Sequence, residues 1–171
     1  EHTMSKPFAS STDTIAKSDT LEILGDGVYA LTAEGDPNVG AVEGEDFVVA
    51  IESRATPAAS LEWLKVLREQ TDKPVRFLIL THYHADHSLG TWMFPGAVVI
   101  AHRAGRGLLD TRGRAALLEA KKSNRELRDV EIVLPDIVVD DEQLSLRVGR
   151  KTLEIIPLPG HSPDGLGVLL T

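Results

Sequence analysis

Apolar and polar positions along this chain follow two rhythms. Early on, short β-type runs are separated by turn residues. Leu21 to Leu24 and Val28 to Thr32 flank Gly25-Asp26-Gly27, which predicts a hairpin. Asn38 to Val42 and Phe47 to Ile51 repeat the arrangement across Glu43-Gly44-Glu45-Asp46. The rhythm then changes. Thr56-Pro57 offers a capping hydroxyl followed by a proline suited to the first helical position. Leu61, Leu64 and Leu67 recur at helical spacing, so a helix near 57–70 is expected with those leucines against a sheet. Trp63 reads as packing. Lys73-Pro74 ends the helix, and Val75 to Leu80 is a buried strand.

Further on, Ser88 is expected to cap a short helix ending before Pro95-Gly96, and Ala97 to Ala101 is another strand. Gly113 to about Asp129 reads as a helix with Ala115, Leu118 and Leu127 inward. Leu144 to Val148 and Lys151 to Ile156 form a hairpin around Gly149-Arg150, and Gly167 to Leu170 begins a last strand. Strands alternating with helices imply a layered α/β structure with some parallel pairing.

Composition narrows the class. The 171 residues suffice for one domain with a core. A net charge of −8 counts against a nucleic-acid surface. No apolar run reaches the roughly 20 residues of a membrane span, and with no cysteine neither disulfides nor thiolate ligands are available. No leader pattern opens the chain, so a cytoplasmic location is expected. Residues 1–18, rich in Ser, Thr, Lys and Asp, are expected to form a flexible arm preceding the domain at 19–171. Its Glu1-His2-Thr3 reads as a tag remnant, and His2 is not taken as a ligand.

The chemistry lies where the strand at 75–80 ends. His82, His84, Asp86 and His87 fall within six positions, and they hold three of the six histidines in the chain. In extended backbone, side chains two apart point the same way, so His82 and His84 can grip one ion. Asp86 and His87 follow where the backbone can turn, and can face a second point nearby. Imidazoles with an added carboxylate suit zinc, with iron or manganese as other possibilities.

His82-x-His84-x-Asp86-His87 at the end of an apolar strand resembles the motif of the metallo-β-lactamase superfamily. Thr81 before it and Ser88-Leu89-Gly90 after it also look like the family. Pro159-Gly160-His161-Ser162-Pro163-Asp164-Gly165 resembles the family's second metal loop. The resemblance implies an αββα sandwich, of which this chain supplies about one half. It implies His82, His84 and His161 at a first metal, and Asp86 and His87 at a second that is short of ligands. It also implies a hydrolase using a zinc-activated water on an ester, lactam, thioester or phosphodiester, with Asp86 helping to orient that water or pass its proton.

Two alternatives accompany that reading: an iron-dependent thiol or persulfide oxidoreductase of the same superfamily, and a non-catalytic half-domain that self-associates. The expected partners are a small-molecule substrate and either the missing C-terminal half or a second copy in a homodimer. Without such a half or second copy, the inner face of the first sheet is expected to lie exposed. Elsewhere, His102 reads as a structural histidine at a strand end. Arg103, Arg106, Arg112 and Arg114 read as a solvated helix surface, and Asp140-Asp141-Glu142 as an exposed loop. No serine elbow or cysteine offers a nucleophile.

Overall fold

The structure, a computed structural model, describes residues 18–33 and 37–171. Apart from Ser18, the expected arm lies outside those residues, as does His2. Two hairpins form as their turns predict: β1 (Asp19–Gly25) with β2 (Val28–Ala33), and β3 (Val39–Glu43) with β4 (Val48–Ile51). Helix α1 (Pro57–Gln70) follows, its first turn capped by Thr56 accepting from the Ala59 amide. It returns the chain to β5 (Val75–Ile79), which lies parallel to β4. Strands β6 (Val98–His102) and β7 (Ile137–Val139) extend the parallel side, giving a seven-stranded sheet in the order β1 to β7.

Between β5 and β6 lies the short α2 (Ala85–Ser88), and between β6 and β7 run α3 (Arg103–Leu108) and α4 (Arg114–Ala120), joined by a π-helical turn over Leu109–Gly113. A second, antiparallel sheet contains β8 (Leu144–Val148), β9 (Lys151–Pro157) and β10 (Leu166–Leu170). The β8–β9 turn uses Gly149 at φ 64°, where a side chain would be strained.

Strand alternation sends two sets of side chains to opposite faces of the large sheet. Val48, Ala50, Leu78, Leu80, Val99 and Ala101 meet Trp63 and Leu67 of α1. Val49, Ile79, Ile100 and Val139 meet Leu153, Ile155 and Leu166 of the small sheet. The result is helix, sheet and sheet in three layers, consistent with a partial αββα sandwich. This corrects one expectation: the inner face of the first sheet is not bare, because β8–β10 cover it and leave Val49, Ile79 and Ile100 fully buried. The exposed apolar residues of the small sheet and its loop are Leu158, Leu169 and Leu170.

Three local readings also shift. The inward stripe of α1 is Ser60, Trp63 and Leu67, while Leu61 is 45% exposed. Ser60 fixes that rotation by donating from Oγ to the Ser53 carbonyl at 2.5 Å. Ser88 is both the last residue of α2 and the N-cap position of a short 3-10 helix over Leu89–Met93, as expected, but its hydroxyl does not cap that helix and donates back to the carbonyls of Tyr83 and His84. The helix expected from Gly113 starts at Arg114 and ends at Ala120. It buries Leu117, while Ala115 and Leu118 face outward. The wider π turn before it changes the helical register. Among the described residues, no helix is long and apolar enough to cross a membrane.

Candidate metal centre

Because β4 and β5 are parallel, their C-terminal ends share one edge of the sheet. Glu52 leaves β4 there, and Thr81 and His82 leave β5. The loop after β9 brings His161 to the same place from the other sheet. The Leu166 amide donates to the Thr81 carbonyl at 2.8 Å, stitching the two sheets together beside the centre.

His82, His84 and His161 present one ring nitrogen each, all within 4.8 Å of one another. His161 Nε2 and His84 Nδ1 are 3.1 Å apart. The His82 ring lies 4.7 Å from that of His84, 4.9 Å from that of His161 and 4.1 Å from that of His87. His82 Nδ1 is held by Thr81 Oγ1 at 3.0 Å, while its buried Nε2 has no hydrogen-bond partner. A buried nitrogen left free against two other imidazoles is the arrangement a cation would satisfy. These residues therefore fit a first metal.

His87 is oriented differently. Its Nδ1 contacts Glu52 Oε2 directly, which leaves Nε2 pointing away, 3.5 Å from Asp86 Oδ2. Glu52, His82 and His87 also lie close together, but Glu52 is engaged as a hydrogen-bond partner of His87 and of the Thr81 amide. A ligating histidine usually hands its other nitrogen to such a carboxylate, which sets the tautomer. Asp86 belongs to neither group of three among the described residues, so Asp86 and His87 form a pair rather than a closed site.

Charge states follow from these surroundings. Burial, then the neighbouring His87, His84 and His161 rings, push His82 down to about 3. Burial and His161 lower His84, against the pull of Asp86 and Asp164. Burial also pulls His87 down, but the Glu52 bond and charge, with Asp86, outweigh it and raise the net value. His82 is thus neutral, as a ligand must be, well below neutral pH.

Glu52 escaped the sequence reading. Its signal was a carboxylate placed directly after the apolar run of β4. Asp164 escaped too: it is 1% exposed in the His161 loop, with Oδ1 unpartnered. His102 is structural as expected, its Nδ1 accepting from the Ala104 amide at the start of α3. Arg103 pairs with Asp140 and Arg114 with Asp110 on the surface.

A sequence model of the family described as the metallo-beta-lactamase superfamily matches residues 32–170. Among solved structures, the sec-alkylsulfatase Pisa1 from Pseudomonas sp. superposes with a TM-score of 0.70 at 16% identity, over 89% of this chain and 29% of that one. BJP-1, a subclass B3 metallo-beta-lactamase of Bradyrhizobium japonicum, gives 0.69 at 20% identity, over 88% and 56%. The FEZ-1 metallo-beta-lactamase from Legionella gormanii gives 0.66 at 16%, over 83% and 54%. At these identities the likeness is one of fold, and the chain spans between 29% and 56% of the length of these three structures.

Proposed function

The chain belongs to the metallo-beta-lactamase superfamily, and on that premise we propose that it carries the first-metal half of a zinc-dependent hydrolase centre. The observation that supports this most is the free, buried Nε2 of His82 facing the nitrogens of His84 and His161. Those three residues would hold a first zinc. Asp86 and His87 would contribute to a second and need further ligands, from a longer form of the protein or from a second copy of the chain.

A bound zinc ion supplies a water nucleophile at neutral pH by lowering its pKa to about 7. The chain's own residues prepare the place for it. Burial keeps His82 neutral and able to donate its lone pair. Thr81 fixes the His82 ring and Glu52 the His87 ring, so ligand geometry is set before any ion arrives. Asp86, partly exposed beside His87, would orient the attacking water or accept its proton. The substrate class we propose is an ester, lactam, thioester or phosphodiester.

The test pairs metal analysis with a reporter panel. Purified protein should retain zinc in a form that His82→Ala loses. A longer form of the protein should hydrolyse at least one lactam, thioester or phosphodiester reporter. Iron in place of zinc would redirect the reading to oxidation of thiol or persulfide substrates. Equal metal content in wild type and His82→Ala would end it.

A further inference from the structure

Two non-glycine residues among those described have left-handed backbone, Glu52 at φ 68° and Arg54 at φ 67°. Such conformations are costly for residues with a Cβ, and persist only where the surroundings hold them. Both residues are 4% exposed. Glu52 is held by its bonds to the Thr81 amide and the His87 ring. Arg54 is held from elsewhere. Its Nη1 donates to both carboxylate oxygens of Asp19 on β1, at 2.9 and 3.0 Å, and its Nη2 to the Leu31 carbonyl on β2 at 3.4 Å. The Arg54 side chain is 5% exposed and that of Asp19 is 22% exposed, so this ion pair is largely withdrawn from water.

The residues between and beside these two grip the histidine loop. The Ser53 amide and Ser53 Oγ both donate to the His87 carbonyl, at 2.9 and 2.8 Å. The Gly90 amide donates to the Arg54 carbonyl at 2.9 Å. A Cβ on Gly90 would stand 1.9 Å from the Ser53 carbonyl oxygen, so the two segments are in backbone contact. Glu52, Ser53 and Arg54 thus reach His87 through its ring, its carbonyl and the turn that follows it.

We propose that the Asp19–Arg54 ion pair is a positioning device for His87. By anchoring Arg54 in its left-handed conformation it keeps Ser53 on the His87 carbonyl and Glu52 on the His87 ring. The first strand of the sheet thereby sets the aim of a residue it does not touch. The inference rests on the reading of His87 as part of a metal centre. Asp19 and Arg54 are positioning residues, not ligands.

Glycine adopts the left-handed conformation without strain, so Arg54→Gly removes the anchor while permitting the same backbone. Asp19→Asn/Arg54→Gly also removes the stranded carboxylate charge. Imidazole nitrogen NMR of the metal-free protein reads the His87 ring directly. In the wild type, Nδ1 should carry the hydrogen toward Glu52 and Nε2 should be free. In both variants the ring should become a mixture of tautomers, and zinc occupancy involving His87 should weaken about ten-fold.

Arg54→Lys keeps the charge without the fork and should fall between wild type and Arg54→Gly. It carries the same measurement if the glycine variants do not fold. A purely structural ion pair would lower the melting temperature and leave the His87 nitrogens as in wild type, and that result overturns the proposal. If the wild type binds no zinc, the hydrolase reading fails, while the ring-nitrogen comparison still decides this inference.

Discussion

At one end of the sandwich, where β1 turns into β2, β3 into β4 and β8 into β9, polar side chains find one another. The Glu43 carboxylate accepts from Tyr29 Oη at 2.8 Å and Thr71 Oγ1 at 3.0 Å, and pairs with Lys73 Nζ at 2.7 Å. Lys73 and Lys151 also donate to the backbone carbonyls of Gly44 and Glu43. Burial pushes Glu43 up, but its three partners outweigh that and hold it below the usual carboxylate range. Burial and Glu43 together push Tyr29 up to about 12. A cleft of about 360 Å³ opens there, yet the two lysines lining it are already engaged.

At the other end, the side chains are as carefully placed but left incomplete. Of the five buried side-chain atoms without a partner among the described residues, His82 Nε2, Ser162 Oγ and Asp164 Oδ1 belong to the two loops of the candidate metal centre. Buried polar groups are ordinarily satisfied. A satisfied cluster points to stability, and a free buried nitrogen facing two other imidazoles points to something the protein binds.

The sharpest way to break this contrast is His82→Ala. It should weaken zinc binding by more than about 100-fold, beyond the ~10–100-fold typical of supporting residues, with little change at the Glu43 end. Chelator competition measures it. If affinity is retained, the free nitrogen is not aimed at an ion.

Gly90→Ala comes next. Its Cβ would meet the Ser53 carbonyl oxygen and Ser60 Oγ at 1.9 Å. Overpacking of this kind costs about 3 kcal/mol, read by urea unfolding, and should reduce zinc uptake as the histidine loop shifts. A neutral result would mean that the loop yields easily.

Acidity sharpens the comparison further. A histidine whose folded pKa is depressed contributes stability that is present above the unfolded value near 6.5 and is lost as pH falls below it. His82 and His84 therefore destabilise the metal-free protein as pH drops from about 7 toward 3, whereas His87, shifted upward, changes its contribution only above about 6.5 and adds a constant stabilisation below it. Urea midpoints should fall across that window, and His82→Gln should flatten the fall. An unchanged slope in the variant would locate the pH sensitivity elsewhere.

The smallest effect is expected from Tyr29→Phe at the satisfied end. It removes one hydrogen bond to Glu43 and should cost about 1 kcal/mol, with zinc affinity unchanged. A change in affinity would show that the two ends are coupled through the sheet.

Much of this was readable from residues alone. The order of strands and helices, the turns at Gly25-Asp26-Gly27 and Gly149-Arg150, and the loop carrying His82 to His87 all rest on local rules of spacing and turn chemistry. They act within a few residues, so the sequence carries them whole. Tertiary contact decided the rest. Ser60 bonding to Ser53 turned α1 so that Trp63 rather than Leu61 faces the sheet. The small sheet covered the face that had been expected to lie bare. His161 came within 3.1 Å of His84 across 77 positions of chain, and Glu52 and Arg54 gained their places through partners 35 positions away. No periodicity encodes such meetings. They depend on which strand ends share an edge, and that is fixed only when the two sheets close on a common core.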